Sequence, residues 1–241
     1  MVNEAITDKS PYQVRTTAWS KVPDFICKAF KWANQADPDA ELFYNDYGHS
    51  TFDNPWYKGR GDAVFNLIKD LKARGCPIHG VGFQLHEYID FEPMIYSIGE
   101  NLKRYDNIGI KVHFTEVDVQ CKKVNGQCLP WDSKTTPMQT STYYKLLERC
   151  IRAPNCELFD TWGISDKYSW LKEPANPLPF TKDYRKKGAY QAMKSLLENF
   201  DRNDPAVVER LKRQRQAQEK KALAAKTPSF EKTEDQEAFL Y

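Results

Sequence analysis

The stretch VHFTEVDVQC, residues 112–121, sets Glu116 and Asp118 into a run of residues that favours a pleated, buried surface. Ionised carboxylates are costly in such a place unless they are paired or put to use. Two positions apart on a strand, they point to the same side. A pair of acids on one face suits nucleophilic or acid–base chemistry, and equally a hydrogen-bonded structural role. Gln84 and His86 in VGFQLHEY have the same spacing. Asn45, Asp46 and Tyr47 close the segment ELFYNDY, Trp162 stands in ELFDTWG, and Asn3 and Glu4 lie in VNEA. Strand-like segments that each finish on polar or aromatic residues point to one shared rim, although any one of them alone reads as structural.

The elements that would carry these residues alternate along the chain. WSKVPDFICKAFKWANQ places Val22, Phe25, Ile26, Ala29, Phe30 and Ala33 on one helical stripe. GDAVFNLIKDLKARG repeats the pattern with Val64, Leu67, Ile68 and Leu71, and Gly75 as its C-cap. A third helix is expected near 92–105, a fourth in STYYKLLERCIR and a last in KKGAYQAMKSLLENF. Strands separated by helices of this length predict an α/β fold with a parallel sheet, either open and doubly wound or a (β/α)8 barrel. No Gly-rich phosphate loop follows any strand, which counts against the nucleotide-binding doubly wound sheet. In a parallel barrel, the C-terminal strand ends converge on the rim that carries the chemistry.

Composition narrows the partners. The 241 residues are 41% hydrophobic and 28% charged, as in a globular domain with a real core. Lys plus Arg (35) nearly balances Asp plus Glu (33), and a net charge of +2 argues against a dedicated nucleic-acid or membrane surface. No run of about 18 apolar residues is present, and MVNEAITDKS lacks the basic start and apolar core of a secretory signal. The cysteines nevertheless suggest export. Cys121 and Cys128 flank KKVNGQ and Cys150 and Cys156 flank IRAPN, short turn-rich loops that disulfides close in an oxidising compartment, with Cys27 and Cys76 as a third pair. Free buried thiols are the alternative; zinc is disfavoured by the spacing. HEYID is not a metal-binding HExxH, and His49, His79 and His113 are expected to be loop or structural residues, so no metal is expected. In residues 200–241, VVERLKRQRQAQEKKALAAK predicts a solvated helix and TPSFEKTEDQEAFLY a disordered end, with nearby acids offsetting the basic RLKRQR.

Read together, VNEA, LFYNDYG, GVGFQLHEY, FTEVDV and TWGISDKYSW resemble, in order and spacing, the fourth to eighth strand ends of glycoside hydrolase family 10. The similarity runs from residue 1 to about 199, and ADPDAELFYNDY, the Cys150 to Cys156 loop and LPFTKDYRKKGAY add to it. It implies an incomplete (β/α)8 barrel over residues 1–199, from the end of strand four to helix eight, with 200–241 as a separate charged tail. The implied activity is that of a secreted endo-1,4-β-xylanase, cutting xylan or xylo-oligosaccharides by a retaining double displacement without a cofactor. On matching positions, Glu116 is the nucleophile and Glu4 the acid and base; Asn3 bonds the sugar 2-hydroxyl; His86 holds Glu116; and Asp118 orients His86. Gln84 and Asn45 support Glu4 and the sugar, Trp162 and Trp170 flank the sugar at the cleavage point, and Tyr47 lines the leaving-group side. Strands one to three have no counterpart, so the resemblance also implies a missing barrel half, from a longer precursor or a partner. Glu4, on a remnant of its strand, is expected to be loosely held. A truncated, non-catalytic xylan-binding or vestigial protein is the alternative.

Overall fold

A computed structural model describes residues 2–52, 57–91, 94–201 and 203–226. Its frame is a parallel sheet in which β1 (Val2–Asn3), β2 (Phe43–Asp46), β3 (Gly80–Phe83) and β5 (Lys111–Gln120) lie side by side, with β8 (Cys156–Thr161) on the far edge of β5. β4 (His86–Tyr88) also runs parallel along β5, so β3 and β4 are two lengths of one strand interrupted at Gln84 and Leu85. The single strand expected from VGFQLHEY is thereby corrected. Leu85 adopts the left-handed region (φ 60°) and is buried in the core. Gln84 and His86 both reach the site through this break rather than by simple alternation.

Helices follow the strands: α1 (Phe25–Ala36), α2 (Arg60–Ala73), α3 (Ile95–Asn107), α4 (Thr135–Ile151) and α5 (Gly188–Asn199). Their apolar stripes meet the sheet in one core, where Phe30, Val64, Ile68, Ile98, Leu102 and Leu146 pack around Tyr44, Val81, Phe83, Val112 and Phe114. Among the described residues β1 and β8 each pair on one side only, so the strands form an arc of a barrel. Helix α1 starts later than its periodicity predicts, because Pro23 and the left-handed Asp24 (φ 56°) separate it from a 3-10 turn at Trp19–Lys21. Helix α4 starts earlier than expected. The Asp132 carboxylate accepts from the N–H groups of Lys134 (2.7 Å) and Thr135 (3.0 Å), anchoring its N-terminus.

Disulfides join Cys27 to Cys76, Cys121 to Cys128 and Cys150 to Cys156, with Cα separations of 5.4, 5.4 and 5.1 Å. The second closes a hairpin of β6 (Lys123–Val124) and β7 (Gln127–Cys128). The three histidines expected to be structural have such surroundings: His79 Nδ1 accepts from the Leu42 N–H, His113 stacks on Phe43, and His49 is buried against the carbonyls of Asp46 and Gly82.

The helix expected after residue 200 is present and its described residues are mostly exposed, but the expectation of a wholly solvated helix is corrected at its start. α6 (Pro205–Lys226) docks its first turns on the barrel: Val207 is buried, Arg210 donates to the Cys156 carbonyl (3.0 Å) and Arg213 pairs with Asp106 (2.5 Å). Two arginines of the basic stretch are thus occupied by the chain itself. Residues 227–241, where a disordered end is expected, lie outside the described residues.

The core and this docking differ in weight. Phe83 is fully buried, with its ring 5.7 Å from that of Tyr105 and 5.9 Å from that of Phe114. Phe83→Ala should cost about 3–5 kcal/mol in urea unfolding. Arg213→Ala, which breaks a half-exposed pair, should cost about 1 kcal/mol or less.

Candidate active site

Glu4 leaves β1 with a left-handed backbone (φ 52°), a conformation that a non-glycine residue keeps only when its neighbours enforce it. They do so from several sides. Its N–H donates to the Asn45 carbonyl (2.8 Å), its carbonyl accepts from Arg15 Nε (2.8 Å), and the N–H of Ala5 donates to the Tyr44 hydroxyl (3.1 Å). The side-chain Oε1 accepts from Gln84 Nε2 (2.9 Å). The expectation of a loosely held Glu4 is therefore corrected.

Beneath it lies a buried ion pair. Arg60, the first residue of α2, meets Asp46 at 2.6 Å, and both side chains are fully buried. The guanidinium also donates to the carbonyls of Tyr47 (2.9 Å), Thr7 (2.7 Å) and Ile6 (3.2 Å), while the Tyr44 hydroxyl donates to the other Asp46 oxygen (2.6 Å). A desolvated pair is tolerable only when so fully bonded. It joins the segment after Glu4 to the end of β2. The Tyr47 ring lies over the same guanidinium at 4.2 Å, and its hydroxyl donates to Asp8. Hydrogen bonds from Arg15 and Tyr47 hold the Asp8 carboxyl well below the usual carboxylate range.

Glu116 stands where the pairing of β5 with β8 slips between Phe114 and Val117, an irregularity that re-aims side chains. Oε1 accepts from Asn45 Nδ2 (2.7 Å), and Oε2 meets His86 Nε2 (3.2 Å). His86 Nδ1 meets Asp118 Oδ2 (2.9 Å), which also accepts from the indole N–H of Trp170 (2.8 Å). Burial opposes a charge on His86, but its bonds to Asp118 and Glu116 prevail and raise it to about 9. A cation that donates to both acids answers why two carboxylates stand in this strand.

Asn45 and Gln84 connect the two glutamates. Asn3 Oδ1 accepts from Asn45 Nδ2 (3.0 Å) and from Gln84 Nε2 (3.4 Å), so a hydrogen-bonded chain runs Glu116, Asn45, Asn3, Gln84, Glu4. Thr115 fixes the Asn45 oxygen at 2.7 Å. Between them lies Gly82, where an added Cβ would stand 2.2 Å from Asn45 Oδ1 and 2.9 Å from the Thr115 methyl, so no larger residue fits without a shift.

A cleft of about 850 Å³ opens over Glu4, Gln84, His86 and Glu116, walled by Trp162 and Trp170 and by Tyr47 and Tyr57. The tryptophans are 46% and 57% exposed, with rings 6.4 and 5.1 Å from that of His86, so they are exposed walls of the cleft and not core aromatics. Glu87, pointing into the same cleft, is raised to about 8 by burial, against the opposing charge of His86. The structure thus brings every expected site residue to one rim. The sequence reading missed Arg60, Asp8, Arg15, Thr115 and Tyr57; only Thr115, beside Glu116, carried any positional signal. Two carboxyls facing an open cleft with aromatic walls suit paired nucleophilic and proton-transfer steps on a ring with apolar faces.

The model of Glycosyl hydrolase family 10 matches residues 1–196. The chain belongs to glycosyl hydrolase family 10. This family 10 chain is 35% identical over 205 residues to Endo-1,4-beta-xylanase B of Thermotoga neapolitana, covering 82% of itself and 55% of that protein. It is 36% identical over 197 residues to Endo-1,4-beta-xylanase A of a Caldicellulosiruptor species, covering 80% of itself and 28% of that protein. The crystal structure of native xylanase 10B from Thermotoga maritima matches with a TM-score of 0.70 at 33% identity, over 82% of this chain and 59% of that one. Xylanase 10B of Thermotoga petrophila, in complex with xylobiose, matches with a TM-score of 0.70 at 32% identity, over 82% and 58%. The family 10 chain spans about half the length of the first of these relatives, and its fold is a partial (β/α)8 barrel.

Two expectations follow. Arg60→Met would leave Asp46 buried without its cation and should cost roughly 3–5 kcal/mol in urea unfolding. Folded Glu87 holds its proton to about 8 against an ordinary 4.5, so it destabilises progressively as pH rises above 4.5. Folded His86 titrates at about 9 against 6.5, so its contribution is complete below 6.5 and lost as pH rises through 9. Both signs agree: the urea midpoint should fall between about pH 5 and 9, and Glu87→Gln should flatten the lower part of that fall.

Proposed function

We propose that the chain hydrolyses internal β-1,4 bonds of xylan by double displacement with retention. The observation that carries this reading is the hydrogen-bonded chain from Glu116 to Glu4 across one open cleft. The relatives named endo-1,4-beta-xylanases and the xylobiose bound by the Thermotoga petrophila enzyme support xylan as the substrate.

In the first step Glu116 attacks the anomeric carbon, forming a glycosyl ester, while Glu4 protonates the departing oxygen. In the second, Glu4 takes a proton from water, whose oxygen displaces Glu116, restoring both carboxyls and the original anomeric configuration. Asn45 and His86 hold the two oxygens of Glu116, so the nucleophile arrives already oriented. The shared oxygen of Asn3 directs its amide nitrogen to the sugar 2-hydroxyl, a contact that strengthens as the ring becomes oxocarbenium-like. Trp162 and Trp170 offer faces to the xylose ring, and Tyr47 lies on the leaving-group side. The three disulfides support a secreted protein in an oxidising setting. The backbone ties on Glu4 favour catalysis over a binding protein without turnover.

Purified protein should release reducing sugar from xylan, and proton NMR of the first products should find the β-anomer. Glu116→Ala should abolish release, and Glu4→Gln should lower kcat about 10²–10⁴-fold. Inversion, or binding of xylan without release by the unaltered protein, would overturn the proposal.

A further inference from the structure

Beyond the two glutamates the cleft continues along a wall built from β4, the end of β5 and the β6–β7 hairpin, lined by Glu87, Tyr88, Asp90, Gln120, Lys122 and Lys123. The cleavage steps proposed for Glu116 and Glu4 use none of these groups. Tyr88 pairs with Gln120, which ends β5 four residues beyond Glu116, about 13 Å of extended strand. Cys121 follows, buried and bonded to Cys128, and Lys123 pairs with Cys128 across the hairpin. The Lys123 backbone is therefore pinned beside a covalent staple, while its side chain is exposed at the cleft.

The charges along this wall do not cancel. Asp90 is already paired with Lys122 at 3.0 Å, and Glu116 and Glu4 have the partners described above. Glu87 is 8% exposed, has no hydrogen-bond or ion-pair partner among the described residues, and is kept uncharged at neutral pH by its burial. Lys123 is thus the ammonium of this wall without an anionic partner among the described residues; across the cleft Glu4 is bonded to the neutral amide of Gln84, and Glu116 shares His86 with Asp118. The complement of Lys123 is an anion reaching sideways from a sugar chain held over the glutamates, and the anionic groups of xylans are the carboxylates of uronic acid branches.

We infer that Lys123 and the stapled β6–β7 hairpin form a subsite for the carboxylate of a uronic acid branch, so that the cleft favours acidic, uronate-branched xylan over the unbranched polymer. This rests on the xylanase reading of the cleft. Because the contact is solvent-exposed, its contribution is modest and sensitive to salt.

The test compares kcat/KM for a xylo-oligosaccharide bearing one glucuronic acid branch, the same oligosaccharide with the branch carboxyl reduced to an alcohol, and a linear one of equal backbone length. Lys123→Gln should lower the branched-to-linear ratio about two- to fivefold, and Lys123→Glu should lower it further. Reduction of the carboxyl should lower the wild-type ratio to the same degree, as should molar salt. A ratio unmoved by both substitutions and by carboxyl reduction, with the linear substrate still cut, overturns the subsite and leaves the xylanase reading standing. Failure of the unaltered protein to cut any of the three overturns the xylanase reading, and the subsite with it.

Discussion

A guanidinium sealed from water between β2 and the segment after β1 is the constraint on which the candidate site depends. Arg60 has no solvent to turn to, so its donors must find acceptors in the chain: they bond Asp46 and the carbonyls of Ile6, Thr7 and Tyr47, and Asp8 is a further ion-pair partner at 3.7 Å. Satisfying one side chain therefore fixes the course of two separate loops. Glu4 inherits its position from one of them and Tyr47 from the other. The left-handed backbone at Glu4 is the strain that this network supports.

A second cation resolves the acids of β5. Positive His86 lies between Asp118 and Glu116, and Trp170 adds a third donor to the same cluster. Glu116 is thus held by one partner from the neighbouring strand segment and one, Asn45, from β2. The approach of Asn45 needs the bare backbone of Gly82. Electrostatics and close packing act here on the same carboxylate from opposite sides.

Much of this was legible in the residues themselves, for physical reasons. The clustering of polar residues at strand ends is a local signal, and it placed Asn45, Gln84, His86, Glu116, Asp118 and Trp162 on one rim, although Gln84 and His86 reach it through the break at Leu85 and not by alternation. Where the reading departed from the structure, the cause was an interaction between distant parts of the chain. Leu85 breaks the β3–β4 strand to bury its side chain, which no alternation rule anticipates. Nothing local marks Arg60, whose partners Asp46 and the carbonyls after Glu4 are distant in sequence. α6 reads as solvated because its apolar stripe is thin, yet Arg210 and Arg213 anchor it by polar contacts that periodicity does not register.

The Cys27–Cys76 disulfide has a consequence for assembly. Its two cysteines are 49 residues apart, and the ring they close encircles Asn45, Asp46, Tyr47 and Arg60. Forbidding the denatured chain from opening that ring removes about 4 kcal/mol of its entropy, in the simple loop model. With this bond intact, Asp46 and Tyr47 stay tethered to Arg60 within one covalent circle even in the unfolded chain. The short run from Ile6 to Asp8 is then recruited from outside it.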